Sequence, residues 1–382
     1  MGDAPRAEPK PSGELRVCLA GGGSGGHLYP CIAIAEAIAG RRGNAKLLVI
    51  GARRGSDRDR LAKCPWPHRL VSARGLPHGG YLRRVANLVW LAWSQLEALL
   101  ILRRFRPHVL VTTGGYVSAG VVPAARLLRI PVVLHDSDAA GGRATQLLAP
   151  HAAAITVGFE QALRVFPADK THFTGQPVRS DILGPSKGAG RDRFGLSADR
   201  KTLLVTGGSH GAQSLNEAIV AALPELLPNG ALQILHVAGE VDYSRTAESV
   251  SERGIHSPRY RLVPYLDDMG HALAAADVIV CRAGAGTMAE VAARRIPAIV
   301  VPYPHAAAHQ QANTRPFLDA GAAIVVPDAE LSGERLSSLV RELCADEPRR
   351  QRMAEAAGSL AMPDAADTIA DVVINVAAMG AV

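Results

Sequence analysis

The ten residues Cys281-Arg-Ala-Gly-Ala-Gly-Thr-Met-Ala-Glu290 set small residues, a hydroxyl and a carboxylate at a spacing that suits a phosphate-bearing ligand. The apolar run Asp277-Val-Ile-Val-Cys281 before them predicts a buried parallel strand, and Thr287 to Arg295 predicts a helix. A strand passing through small residues into a helix start leaves free backbone N–H groups, and the helix dipole favours an anion there. Thr287 can hydrogen-bond an oxygen of that anion. Glu290, one turn in, can accept from the vicinal hydroxyls of a sugar. Taken alone, the stretch reads equally well as a plain strand-to-helix turn capped by threonine.

Similar turns recur along the chain. Gly21-Gly22-Gly23-Ser24-Gly25-Gly26 follows the predicted strand Leu15–Ala20 and satisfies the G-x-G-x-x-G pattern of dinucleotide sites. A nicotinamide enzyme should carry an acid at the end of its second strand. Here that strand ends Ile50-Gly51-Ala52-Arg53-Arg54, with no acid before Asp57. Arginines suit a 2′-phosphate, so an NADP-dependent reductase or a nucleotide-binding regulator stays open on this motif. His27 closes the turn, either as a capping residue or as a general base, because imidazole titrates near neutrality. Thr113-Gly-Gly-Tyr-Val-Ser118 and Gly207-Gly-Ser-His-Gly-Ala212 offer further N–H groups and hydroxyls at strand ends. Arg179, after Pro177, can add a charge-assisted contact to a diphosphate. His305 and His309, four apart, raise a metal reading; with no helix predicted over them, Gln310 and Gln311 read better as hydrogen-bonders for hydroxyls.

Alternating strand and helix signals must position these turns. A first βαβ succession runs to Gly175-Gln-Pro-Val-Arg179 and restarts at Lys201–Thr206, after a Gly-, Pro- and charge-rich stretch, Gly184 to Gly195. The expected organisation is a disordered tail at 1–13, a first domain at 14–180, a linker at 181–198, a second domain at 199–362 and a final helix at 363–382. The fold class is α/β: two doubly wound parallel-sheet domains facing across a cleft, with ligands beyond the carboxyl ends of the strands.

Composition agrees. A chain of 382 residues is long for one core, and 48% hydrophobic with only 4% aromatic content suits helices on parallel sheets. A net charge of +7 favours phosphate ligands, an acidic membrane face or nucleic acid. Five scattered cysteines without a C-x-x-C pair argue against a disulfide framework or a zinc site and suit reduced thiols. No apolar segment predicts a signal peptide or a clean membrane span. The stretch Tyr81 to Arg106 stands apart: Trp90, Trp93, Leu96, Leu99 and Leu100 recur at helical spacing between Arg83, Arg84 and Arg103, Arg104. It reads as an amphipathic core helix or as an interfacial helix on anionic lipid.

Taken in order, the motifs Gly22–His27, Gly114–Ser118, the His135 turn, Gly175–Arg179, Gly207–Ala212, Pro264–Met269, Cys281–Glu290 and His309–Gln311 resemble the MurG family. These are bacterial transferases that add N-acetylglucosamine to lipid I, forming lipid II of peptidoglycan. The resemblance implies the GT-B fold and an inverting hexosyltransferase needing no cofactor or metal, with UDP-GlcNAc as donor. It implies donor contacts from Arg179, Ser209, Tyr265, Leu266, Ala285, Thr287, Glu290, Gln310 and Gln311. Acceptor contacts would come from Ser24, Gly25, Gly26, Gly115, Tyr116 and Asp138, with His27 as catalytic base. The implied partners are a polyprenyl-diphosphate-linked acceptor and the anionic cytoplasmic face of the membrane, where the enzyme would sit peripherally, and not nucleic acid. The fourth turn departs from the family's His-Glu pattern, reading His135-Asp136-Ser137-Asp138. A paralogue acting on another prenyl-linked or secondary-metabolite acceptor is the alternative.

Overall fold

Runs of Val, Ile and Leu without alternation make strands that are buried on both faces, and the chain uses them for two parallel sheets. A computed structural model describes residues 14–53, 56–73, 81–208, 211–228, 230–304 and 309–380, with 81–88 by backbone alone. The tail at 1–13, Ser209 and His305 lie outside the described residues.

The first sheet contains β1 (Arg16–Ala20), β2 (Lys46–Ala52), β3 (His68–Val71), β4 (Val109–Thr112), β5 (Val132–Asp136), β6 (Ala154–Val157) and β7 (Thr171–Phe173). Its order is β3-β2-β1-β4-β5-β6-β7, parallel throughout, with Val17 opposite both Leu47 and Val109. Its helices are α1 (Gly25–Arg41), α2 (Asp57–Ala62), α3 (Tyr81–Phe105), α4 (Gly115–Leu127) and α5 (Arg143–Leu148). Helix α1 starts inside the glycine run, at Gly25, although glycines carry no helical periodicity.

Two short helices follow, α6 (Ser180–Leu183) and α7 (Lys187–Phe194), within the stretch expected as a linker. Helix α7 forms because the Ser186 side chain accepts from Ala189 N and Gly195 takes the left-handed C-terminal conformation at φ 60°.

The second sheet contains β8 (Lys201–Thr206), β9 (Leu232–Val237), β10 (Tyr260–Val263), β11 (Val278–Cys281), β12 (Ala298–Val300) and β13 (Ala323–Val325). Its order, β10-β9-β8-β11-β12-β13, repeats the logic of the first. It carries α8 (Gln213–Leu226), α9 (Tyr243–Glu252), α10 (Met269–Ala275), α11 (Ala285–Arg294), α12 (His309–Asp319), α13 (Gly333–Ala345) and α14 (Glu347–Ser359).

The last helix, α15 (Ala365–Met379), packs on the first sheet. Ile369, Ala370, Val373, Val376 and Ala377 share a buried cluster with Val17, Leu19 and Ile34. That spacing makes one apolar stripe, and the stripe completes, beside α1, the cover on one face of the first sheet. Replacing the fully buried Ile369 by Ala should lower unfolding free energy by about 2–5 kcal/mol in chemical denaturation. A loss below ~1 kcal/mol would mean that α15 is dispensable to the core.

Candidate functional site

In each sheet the strand order reverses at one point, between β1 and β4 in the first and between β8 and β11 in the second. Loops leaving neighbouring strands at such a point diverge and open a crevice at the carboxyl edge. The loops that follow these four strands are the glycine turns singled out in the sequence: Gly21–Ser24, Thr113–Gly114, Gly207–Gly208 and Arg282–Gly284.

His27 lies in the first turn of α1, and its Nδ1 is 2.9 Å from the carbonyl oxygen of Thr113. A carbonyl only accepts, so Nδ1 carries the hydrogen of the neutral ring and Nε2 is left with a lone pair. The Thr113 hydroxyl donates back to the His27 carbonyl at 2.5 Å, tying the loop after β4 to the start of α1. Ring and loop approach so closely that Gly115 is needed: at φ 76°, an added Cβ would lie 2.7 Å from Gly22 O and 2.9 Å from His27 Cδ2. The N–H groups of Gly25 and Gly26 head α1 without an intrahelical acceptor, and the Ser24 side chain makes no cap bond to them. Tyr116 is exposed beside Gly23.

Asp57, the first acid after β2, is buried, and its Oδ2 accepts from Gly23 N at 2.7 Å and from Ala52 N at 2.9 Å. It braces the glycine turn and is not available to a cofactor ribose. Sequence reasoning missed this role. An acid shortly after the second strand was its only visible signal.

In the second half, β11 ends in the sequence that opens α11, and Ala285 to Thr287 form its first turn. No hydrogen bond or ion pair engages Glu290 among the described residues, and its side chain keeps partial exposure. The carboxyl is nonetheless packed tightly enough that burial pushes it up from 4.5 to about 7, against the lowering pull of the Arg179 guanidinium. Arg179 is largely buried, pairs with Asp181 at 3.1 Å and stacks over Tyr29 at 4.1 Å. Gln310 Oε1 accepts from Ala283 N at 3.2 Å and Tyr303 N at 2.8 Å, so it is pinned to the same turn. Gln311 is exposed. Both sit in the first turn of α12, where no helix was expected, because His309 to Asn313 shows almost no apolar periodicity.

Several contacts bridge the two halves. The Tyr29 and Tyr265 hydroxyls are 2.6 Å apart, and Lys63 pairs with Asp267 at 2.7 Å. Leu266 packs into the core of the second half. Fully buried Asn313 accepts from Ala139 N at 2.9 Å and donates to Asp138 Oδ1 at 3.0 Å and to Ala283 O at 3.1 Å. Asp138 is therefore held by α12 across the cleft, a link that the sequence did not reveal. Asp136 holds its own loop through Asp138 N and Gly142 N, and burial raises its pKa.

On α3, Ser94, Ala98 and Leu102 face the core while Trp93 (53%), Leu96, Leu100 (60%) and Val89 stay exposed and Trp90 is partly so. Arg103 and Arg104 are exposed at its end; the side chains of Arg83 and Arg84 are outside the description. Among the described residues, no helix is long and apolar enough to cross a membrane.

Comparison with known proteins follows the same division of the chain. Residues 17–157 match the glycosyltransferase family 28 N-terminal domain, and residues 202–369 match the glycosyltransferase family 28 C-terminal domain. A relative from Halothermothrix orenii is 36% identical over 370 residues, covering 95% of this chain and 99% of that protein. Another, from Moorella thermoacetica, is 39% identical over 371 residues, covering 96% and 100%. Both are named UDP-N-acetylglucosamine--N-acetylmuramyl-(pentapeptide) pyrophosphoryl-undecaprenol N-acetylglucosamine transferase. Among solved structures, MurG of Acinetobacter baumannii matches with a TM-score of 0.71 at 27% identity, over 94% of this chain and 99% of that one. The S. aureus MnaA–UDP co-structure, at 13% identity and a TM-score of 0.70 over 93% and 94%, is a likeness of fold alone.

Glu290 should titrate at about 7 when its carboxyl is followed by NMR. Because the folded-state pKa is raised, the group's contribution to stability is present below 4.5 and is lost as pH rises through about 7. Arg179→Ala removes the pull towards ionisation, so it should move the midpoint higher still. A midpoint near the ordinary carboxylate value would contradict this environment.

Proposed function

Because the chain belongs to the family of UDP-N-acetylglucosamine--N-acetylmuramyl-(pentapeptide) pyrophosphoryl-undecaprenol N-acetylglucosamine transferases, we propose that it moves N-acetylglucosamine from UDP-GlcNAc to lipid I, forming lipid II of peptidoglycan. One observation carries the reading: an imidazole with a free Nε2 and an unpartnered carboxylate at a phosphate-type turn belong to two helices, α1 and α11, that lie against each other. The GT-B architecture of two parallel-sheet domains is the frame.

His27 Nε2 takes the proton from the attacking acceptor hydroxyl as its oxygen bonds to C1 of the sugar. The C1–phosphate oxygen bond breaks, its electron pair leaves with UDP, and attack from the face opposite the leaving group inverts the anomeric centre. The Thr113 carbonyl, already accepting from Nδ1, stabilises the imidazolium that results. Negative charge growing on UDP meets the amide end of α11, the Thr287 hydroxyl and Arg179. Ionised Glu290 accepts from the ribose hydroxyls, which is why its free-protein pKa matters: the nucleotide must hold it in the charged form. Tyr265 and Leu266 flank the uracil, Ser209 adds to the diphosphate contacts, and Ala285, Gln310 and Gln311 meet the sugar. Across the cleft, Ser24, Gly25, Gly26, Gly115 and Tyr116 receive the acceptor, and Asp138 positions its loop through Asn313.

The acceptor carries a prenyl tail, so the first half has to reach a bilayer. The exposed Trp93, Leu96 and Leu100 with the partly exposed Trp90, followed by Arg103 and Arg104, suit headgroup-level contact with anionic lipid on the cytoplasmic leaflet, where the nucleotide sugar is available.

Wild-type protein supplied with UDP-GlcNAc and lipid I should yield lipid II; UDP binding without product would move the reading to another acceptor. His27→Ala should lower kcat by about 10²–10⁴-fold with little change in donor KM, and near-full turnover would reduce His27 to a structural cap. Separately, Trp90→Ala with Trp93→Ala should weaken sedimentation with anionic liposomes while leaving UDP binding intact. Undiminished sedimentation would exclude α3 as the membrane contact.

A further inference from the structure

Arg60 is the cleft residue whose chemistry is left unused. It sits on α2, and its guanidinium lies 5.4 Å over the Tyr29 ring and 5.7 Å over the Tyr265 ring, so it touches both sides of the cleft. Among the described residues its side chain forms no hydrogen bond and no ion pair, and its Nη1 is buried without any acceptor. A buried unpaired guanidinium nitrogen calls for an explanation. No nearby acid supplies one. Asp57 is held by Gly23 N and Ala52 N, and Glu36 by Ser180 N. Arg179, on Tyr29 as well, already has Asp181.

The position of Nη1 suggests its partner. It lies 3.4 Å from where a Cβ on Gly25 would stand, beside the first turn of the 17-residue α1 and its open N–H groups. A planar fork of donors next to a helix N-terminus matches the oxygens of a diphosphate. We propose that Arg60 binds the diphosphate of the lipid-linked acceptor. This rests on the transferase reading above, in which the donor's own diphosphate is served by α11 and Arg179. The aromatic rings of Tyr29 and Tyr265 hold the guanidinium flat and keep it from folding back onto a protein acceptor. Its contact with Tyr265 also gives the nucleotide side a way to sense whether the acceptor has been seated.

The test uses the full chain with Arg60→Gln and Arg60→Lys, assayed with UDP-GlcNAc and a short-prenyl lipid I analogue. Arg60→Gln should raise acceptor KM about tenfold to a hundredfold while donor KM stays within about twofold, and Arg60→Lys should recover part of the loss. Inorganic pyrophosphate, added with UDP already saturating, should raise the melting temperature of wild-type protein and not of Arg60→Gln. Unchanged acceptor KM in Arg60→Gln would overturn the proposal. A rise confined to donor KM would assign the cation to UDP and overturn it as well. If wild-type protein binds UDP but makes no lipid II, the transferase reading fails on its own. The pyrophosphate arm then decides Arg60: equal stabilisation of both proteins rejects the site.

Discussion

The hydrogen bond between the His27 ring and the Thr113 carbonyl sets the terms for the rest of the first half. It joins the loop after β4 to the start of α1, two segments that are brought together because β1 and β4 are adjacent parallel strands whose connections leave in opposite directions. A side chain at Gly115 would enter the space of His27, and one at Gly21 would strike the Thr113 hydroxyl. The glycines are therefore required for close approach, whatever they bind. The same bond selects the tautomer in which Nε2 keeps its lone pair.

Residues that never touch a ligand hold this arrangement in place. Asp57 occupies the inner side of the first glycine turn, with its carboxylate satisfied by two backbone N–H groups. Arg282 does the equivalent in the second half. It is almost fully buried, pairs with Asp328 at 2.5 Å and donates to Ser214 at 2.7 Å and to Val301 O at 3.1 Å, fastening the end of β11 to its neighbours. A buried ion pair is a weak source of net stability but a strong geometric constraint, since removing one partner strands the other charge. Arg282 lies inside a motif that looks like a ligand-binding loop and Asp57 lies against one, and both face the protein.

Two guanidiniums of the first half meet at the cleft. Arg179 tempers the raised pKa of Glu290 on one side, while Arg60 lies unpaired on the other, and the two guanidiniums share Tyr29. Asn313 joins the loop carrying Asp138 to the turn that holds Gln310, so loops of the two halves are in one hydrogen-bonded network. A shift of either half changes the geometry of both.

Much of this was legible in the residues themselves. The central strands β1, β2, β4, β5, β8 and β11 carry aliphatic runs because both their faces are covered, and the small-residue turns after several of them mark the carboxyl edge. The shorter β3, β6, β7 and β13, most of them towards the sheet edges, escaped notice, as did the helix beginning at His309, because three- or four-residue strands and a polar first turn carry little pattern. The sequence by itself determined two duplicated α/β halves and the glycine turns, and it singled out Glu290 and His27 as candidates for the chemistry. Only tertiary structure decided which nitrogen of His27 is free, that Asp57 and Asp138 serve backbone and Asn313, and that Arg60 stands without an acceptor. Those are properties of distance and burial between segments far apart in the chain, and no local pattern encodes them.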